Sequence, residues 1–331
     1  MNIKQLKLVA LVSGCILLVV LVVALIRSDK DLVENETDRK YNIVEKELLS
    51  IKPISGEMAS EIKTEYDITN KTFTAYIKDE QNVFSEEQID YGSPMVSSIS
   101  CVSEGEQIIV DVKLKDYCTC TSEIQDNILY VHFEEIKDKE NKLIVIDPGH
   151  GGYDVGAENG HIYEKDINLN VSNYVCDILG KNGYIPILTR DSDVFVSVED
   201  RVDFVNNIKP KLFISIHCND NEEPSAEGTE ILYNVKDTSS NYNSYWLSEI
   251  LLDSIIASSG TRKREVINGN SIHIIRNSQV PVALVELGFV SNEGDLALLS
   301  TNQGQKIFAK GIADGIIKAM TELNETETKN E

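Results

Sequence analysis

Three apolar runs of strand length in this chain each lead to a side chain that can hold a metal or carry a proton. Lys142-Leu143-Ile144-Val145-Ile146 runs through Asp147-Pro148-Gly149 to His150. Leu212-Phe213-Ile214-Ser215-Ile216 ends at His217, and Val282-Ala283-Leu284-Val285 ends at Glu286. Proline and glycine turn the chain at His150, and the glycines on both sides leave room for close approach to its imidazole. Sheets of α/β proteins carry their sites at the carboxyl ends of strands, so one site fed by three strands is expected. By residue type alone, that site suits metal-assisted hydrolysis. The apolar company of Glu286 should raise its carboxyl, which fits it for proton transfer. A structural carboxylate paired with Arg190 or Arg276 is the alternative.

The elements that must position these groups follow from periodicity. From Lys142 onward strand alternates with helix. Ile167, Val171, Tyr174, Val175 and Ile178 have helical spacing, with Gly180 and Gly183 as the stop. Residues 184–188 read as a strand. Ser197-Val198-Glu199-Asp200 opens the next helix with a capping pattern, and Val198, Val202 and Val205 form its stripe. Further strands are expected at 228–233, 271–275 and 282–286, and helices at 245–256 and 303–323. This alternation predicts an α/β fold, a mixed and mostly parallel sheet with helices on both faces. Before it, residues 72–77, 107–114 and 128–133 are β-rich and partly alternating, which suggests a small β-sandwich. Residues 29–61 are polar and acidic, a stalk with a short helix near 42–51. No internal repeat is visible.

Five motifs occur in order: Asp147 to Gly152; Glu164-Lys165-Asp166-Ile167-Asn168-Leu169; Thr189-Arg190-Asp191; Ser215-Ile216-His217-Cys218-Asn219; and Val285-Glu286-Leu287-Gly288-Phe289-Val290-Ser291-Asn292. Together they resemble the zinc-dependent N-acetylmuramoyl-L-alanine amidases of bacterial cell walls, the amidase-3 type, over about residues 141–322. The resemblance implies Zn2+ held by His150, Glu164 and His217, with a fourth position left for water. Glu164 precedes a helix, where a carboxylate is also stabilised by the helix N-terminus without any metal. The resemblance makes Glu286 the catalytic group, taking a proton from water and passing it to the leaving amine. It implies peptidoglycan as the substrate, cut at the amide between N-acetylmuramic acid and L-alanine; the alternatives are a zinc hydrolase acting on another cell-wall amide and a wall-binding protein without catalysis. Asp147 and Asn219 flank the histidines and are expected to orient their rings, and Arg276 to bind a peptide carboxylate or the oxyanion. Arg190 and Asp191 are read as fixing the sheet edge, His161 as a loop residue and His273 as a strand residue. Where the family carries an Arg-Gly pair, this chain reads Arg262-Lys263-Arg264-Glu265-Val266, which changes the rim and not the metal chemistry. Some relatives of this type block the metal with a helix inserted after the second histidine motif. Here the stretch from Cys218 to Glu227 holds a proline and no apolar face, so a loop and an open site are expected.

Bulk composition sets the remaining bounds. The 331 residues carry a net charge of -23. Such acidity argues against a nucleic-acid partner and against passive adhesion to anionic wall polymers or lipid. Residues 8–26 form an apolar run, broken only by Ser13 and Gly14 and preceded by Lys4 and Lys7. It is long enough to span a bilayer, with the amino terminus cytoplasmic and the body exported. An uncleaved single-pass membrane anchor is favoured over cleavage after Val22-Val23-Ala24, which would leave a secreted protein. Of six cysteines, Cys15 lies in the apolar run and five lie outside it, so no disulfide framework is expected. A bridge from Cys118 or Cys120 to Cys101 is open as a minor alternative. The expected organisation is an anchor at 1–28, an acidic linker at 29–61 and a β-rich domain at 62–138 that faintly resembles wall-targeting modules. A catalytic domain at 141–323 and a disordered tail at 324–331 complete it. The protein is expected to be a monomer.

Overall fold

The computed structural model describes residues 41–45, 48–51, 62–78, 87–89, 95–105, 107–125, 128–136, 142–238 and 241–330. The expected anchor at residues 8–26 lies outside them. Among the described residues no helix is long and apolar enough to cross a membrane. The chain divides into two compact units.

The first unit is built from strands β1 (Tyr41–Glu45), β2 (Leu48–Ile51), β3 (Ile62–Asp67), β4 (Thr72–Lys78), β5 (Glu87–Ile89), β6 (Val96–Glu104), β7 (Gln107–Leu114), β8 (Cys118–Gln125) and β9 (Ile128–Glu135). They form one sheet in the order β1-β2-β9-β8 and another in the order β3-β4-β7-β6-β5. Alternate residues point inward: Ile108, Val110, Val112 and Leu114 on β7, and Leu129, Val131 and Phe133 on β9, are buried. Phe73 meets Phe133 edge-on with ring centroids 5.9 Å apart, so the two sheets share a core. His132 points outward and is exposed. The short helix expected near 42–51 is instead a strand pair, with β1 antiparallel to β2 and β2 antiparallel to β9. A free sheet edge decides that conformation, and local sequence does not reveal the edge. No disulfide joins Cys101 to Cys118 or Cys120, so the Cys101 bridge is not formed.

The second unit is the expected α/β layer structure. Its strands are β10 (Leu143–Pro148), β11 (Glu158–Asn159), β12 (Ile162–Tyr163), β13 (Ile185–Leu188), β14 (Leu212–Asn219), β15 (Thr229–Tyr233), β16 (Lys263–Asn268) and β17 (Val282–Phe289). The helices are α1 (Glu164–Lys181), α2 (Val198–Ile208), α3 (Ser244–Ser259), α4 (His273–Asn277), α5 (Glu293–Leu299) and α6 (Asn302–Asn330). The main sheet runs β13-β10-β14-β17-β15-β16, with every neighbouring pair parallel except β15 against β17. Strand residues alternate between two cores. Ile144, Ile146, Ile214 and Val285 pack with Val171 and Val175 of α1, Leu251 of α3 and Ile312 of α6. Leu143, Val145, Phe213 and Leu284 pack with Val202 and Val205 of α2 and Ile274 of α4 on the other face. Both faces are therefore covered, as a mostly parallel sheet requires.

Some elements of this unit differ from expectation. Residues 271–275 do not form a strand; His273 begins the short helix α4 after a turn in which Ile272 N–H donates to Gly269 O at 2.8 Å. A short apolar run cannot be assigned by periodicity alone. Lys263–Asn268 is a strand, β16, that charge-rich sequence concealed at the sheet edge. The closing helix continues to Asn330, beyond the expected end at Leu323. Between β14 and β15 the chain is a loop without a helix, as expected.

Candidate metal centre and active site

The strand order places β10 between β13 and β14, so the chain leaves β10 in one direction and returns on its other side. This switch point opens a crevice at the carboxyl ends of β10 and β14. His150 follows β10 and His217 lies near the end of β14. Glu164 is the first residue of α1, delivered by the short hairpin β11–β12. His150 sits at φ 60°, an uncommon left-handed conformation for a residue other than glycine. The flanking turn leaves no room for side chains. A Cβ on Gly149 would lie 2.2 Å from His217 Cε1, and one on Gly156 would lie 2.5 Å from Glu164 Oε2.

Glu164 Oε1 lies 3.3 Å from His150 Nε2 and 3.0 Å from His217 Nδ1. The candidate ligand atoms of the three residues all fall within 4.8 Å of one another. Two imidazoles and one carboxylate converging from separate elements fit a zinc ion, and they are the donor set of several zinc hydrolases. The carboxylate is held by more than its position at a helix start. Cys218 N–H donates to Oε1 at 2.9 Å, and Ala157 N–H donates to Oε2 at 2.8 Å. Burial works against its charge, but both histidines hold the Glu164 carboxyl far below the usual carboxylate range. Burial also disfavours charge on His150, yet the Glu164 and Asp154 carboxylates raise it to about 9.

Glu286 is the partner of His217 in the sheet register, and on its other side it is the partner of Glu230 on β15. Its Oε2 is buried without a hydrogen-bond partner. Burial raises the carboxyl to about 7; His217 opposes the shift, while Glu164 and Glu230 add to it. The expected alternative, a carboxylate paired with Arg190 or Arg276, is not what the structure holds. Arg190 donates to the carbonyls of Pro148, Gly149, Lys165 and Ser192 and so braces the His150 turn. His150, His217 and Glu286 line a cleft of about 390 Å3, together with Asp147, Asp154, Phe195, Arg201 and Leu284 among others.

The residues expected to support the site are placed differently. Asp147 is fully buried, but it accepts from Thr189, Ser215 and Arg201 and not from a histidine. It therefore anchors the strand end below His150. Asn219 does not reach His217; its Nδ2 donates to Glu230 Oε1 at 2.8 Å, and Arg264 Nε donates to Glu230 Oε2 at 2.5 Å. Arg276 is exposed, donates to the carbonyls of Asn270 and Ser271, and is not part of the cleft lining. His161 is exposed at the turn of the β11–β12 hairpin. The residue that orients a histidine is Asp154, whose Oδ2 lies 2.9 Å from His150 Nδ1. Its place four residues after His150 in a glycine-rich turn was the available signal. Arg201, which donates to His150 O at 2.8 Å, gave none, because it reaches the turn from α2.

An α/β unit with this crevice and this donor set has the residues to hold a single metal ion. Residues 144–318 match the amidase-3 family, described as N-acetylmuramoyl-L-alanine amidase, and the chain belongs to that family. It is 38% identical over 180 residues to the uncharacterized protein YqiI of Bacillus subtilis, covering 54% of this chain and 84% of YqiI. It is 35% identical over 176 residues to N-acetylmuramoyl-L-alanine amidase LytC of Bacillus subtilis, covering 53% of this chain and 35% of LytC. Among solved structures, AmiC2, an N-acetylmuramoyl-L-alanine amidase of Nostoc punctiforme, is 33% identical with a TM-score of 0.51, covering 55% of this chain and 98% of AmiC2.

Proposed function

We propose that this protein is a zinc-dependent amidase that cuts the bond between the lactyl group of N-acetylmuramic acid and L-alanine in bacterial peptidoglycan. One observation carries the reading: Glu286, one of whose carboxylate oxygens is buried without a hydrogen-bond partner, stands in register with His217 of the His150, Glu164 and His217 cluster. Zinc, when bound by those three residues, supplies Lewis acidity at the scissile carbonyl and eases deprotonation of water. Everything else falls to the chain. Glu164 is fixed by two backbone N–H groups, and Asp154 fixes the His150 ring. Glu286 takes the proton from water as the carbonyl is attacked, and returns it to the alanine nitrogen so that the amine leaves neutral. Burial raises this carboxyl and a bound cation lowers it, and the balance lets it both take up and return the proton.

The apolar run at residues 8–26, with Lys4 and Lys7 before it, supports a membrane-tethered body outside the cytoplasm. The test of the metal assignment is substitution of the ligands. His150→Ala, Glu164→Ala and His217→Ala should each lose zinc stoichiometry and activity together. A His217→Ala protein with one tightly held zinc and near-normal turnover would end this reading.

A further inference from the structure

Tyr153 stacks on Phe195, a residue of the cleft lining. Tyr153 is 80% exposed, although the two ring centroids lie 4.3 Å apart with planes 24° apart. One face of the tyrosine is thus covered by Phe195 and the other lies open to solvent. Phe195 is itself 38% exposed and lines the same cleft as His150 and Glu286. The pair is held in place from beneath. Asp193 accepts Gly152 N–H at 2.8 Å and Lys165 Nζ at 2.6 Å, and Lys165 Nζ also donates to Gly152 O at 2.9 Å. Gly151 and Asp154 close the turn around Tyr153 with reciprocal backbone hydrogen bonds of 2.9 and 3.1 Å. A Cβ on Gly152 would lie 2.8 Å from Phe195 N, so the turn is packed against the segment that carries the second ring. A large aromatic surface fixed this firmly and left wet at the mouth of a site marks a ligand contact.

We propose that the open face of Tyr153, backed by Phe195, is a platform for a neutral pyranose ring of the glycan strand. The inference rests on the proposed function, in which the acyl side of the scissile amide is carried on a hexopyranose. A pyranose presents a face of C–H bonds flanked by hydroxyls, which matches an aromatic face with water around its edge. Charge argues for the same occupant. The chain carries -23, and Asp154 and Glu199 line the cleft, so an acidic stem peptide gains nothing from this rim, whereas an uncharged sugar is not repelled. The platform would set which sugar enters the cleft and in what orientation.

The experiment uses the full chain in detergent with Glu286→Gln to block turnover, titrated with a short chitin oligosaccharide that has neither lactyl group nor peptide. Calorimetry should detect binding, and adding Tyr153→Ala or Phe195→Ala should weaken it about tenfold, roughly 1.4 kcal/mol. Tyr153→Phe should retain it, because the ring face remains. No binding of the oligosaccharide, or equal binding by the Tyr153→Ala protein, would overturn the proposal. So would a Tyr153→Ala protein that loses affinity for an L-alanyl-D-glutamyl peptide and not for the sugar. The two readings fail separately. Sugar binding through Tyr153 in a wild-type protein that releases no stem peptide would remove the amidase reading and leave the platform.

Discussion

At the scale of single residues, Glu286 and Asp154 carry the sharpest consequences. Glu286→Gln should keep zinc and fold while losing roughly 10²- to 10⁴-fold in turnover, the usual range for a general acid–base group. Loss of zinc in that variant would make Glu286 a ligand instead. As a base the carboxylate must be ionised, so activity should climb as pH rises toward about 7, and a bound cation moves that limb downward. The Glu286→Gln protein should lack the limb. Asp154→Asn removes the carboxylate that faces His150 Nδ1 and should weaken zinc affinity roughly 10- to 100-fold, read by competition with a chelator. Of the groups expected to do chemistry, His150, His217 and Glu286 were legible because each ends an apolar run, whereas Glu164 opens a helix and was assigned only through the family resemblance. Their supports were not. Asp147 adjoins the His150 turn in sequence yet turns its side chain to Thr189, Ser215 and Arg201, and adjacency carries no information about direction.

At the scale of elements, the strands and helices of the sheet were readable wherever one period ran long enough, as in α1 and α2. Short segments were not: α4 shows an Ile-Ile pair that serves a strand or a helix equally well, and β16 hides its edge position behind charges. The site depends on how firmly these elements are joined at the switch point. Asp147 ties β10 to β14 through Ser215, to the end of β13 through Thr189, and to α2 through Arg201. Burial works against this carboxylate, but the Arg201 guanidinium and the two hydroxyls hold it below the usual range. Asp147→Asn leaves the Arg201 charge buried and unpaired and should cost about 3–5 kcal/mol in denaturant unfolding. The sign with pH follows from a lowered folded-state value. The stability it contributes is complete above the unfolded-state carboxylate range and is lost as pH falls through the folded value. The variant should therefore show a shallower loss of stability in acid than the wild type. An unchanged acid limb would mean that Asp147 is not what couples the three elements.

At the scale of the whole molecule, charge and substrate pull against each other. A chain of -23 approaching an anionic wall is repelled at long range, and salt screens that repulsion. Activity on whole walls should therefore rise with ionic strength, while activity on a small neutral muramoyl peptide stays flat; a fall on walls would point to attractive charge contacts. The loop from Asp220 to Gly228 holds no helix, and on the proposed reading the isolated protein should digest peptidoglycan without an added partner. The central claim is the bond that is cut. Mass spectrometry of purified peptidoglycan digested with the zinc-loaded protein tests it most directly. The account predicts free stem peptides that begin with L-alanine, and glycan strands that retain intact lactyl groups, with neither released by Glu286→Gln. Shortened stems still attached to the glycan, or an unchanged wall, would contradict it.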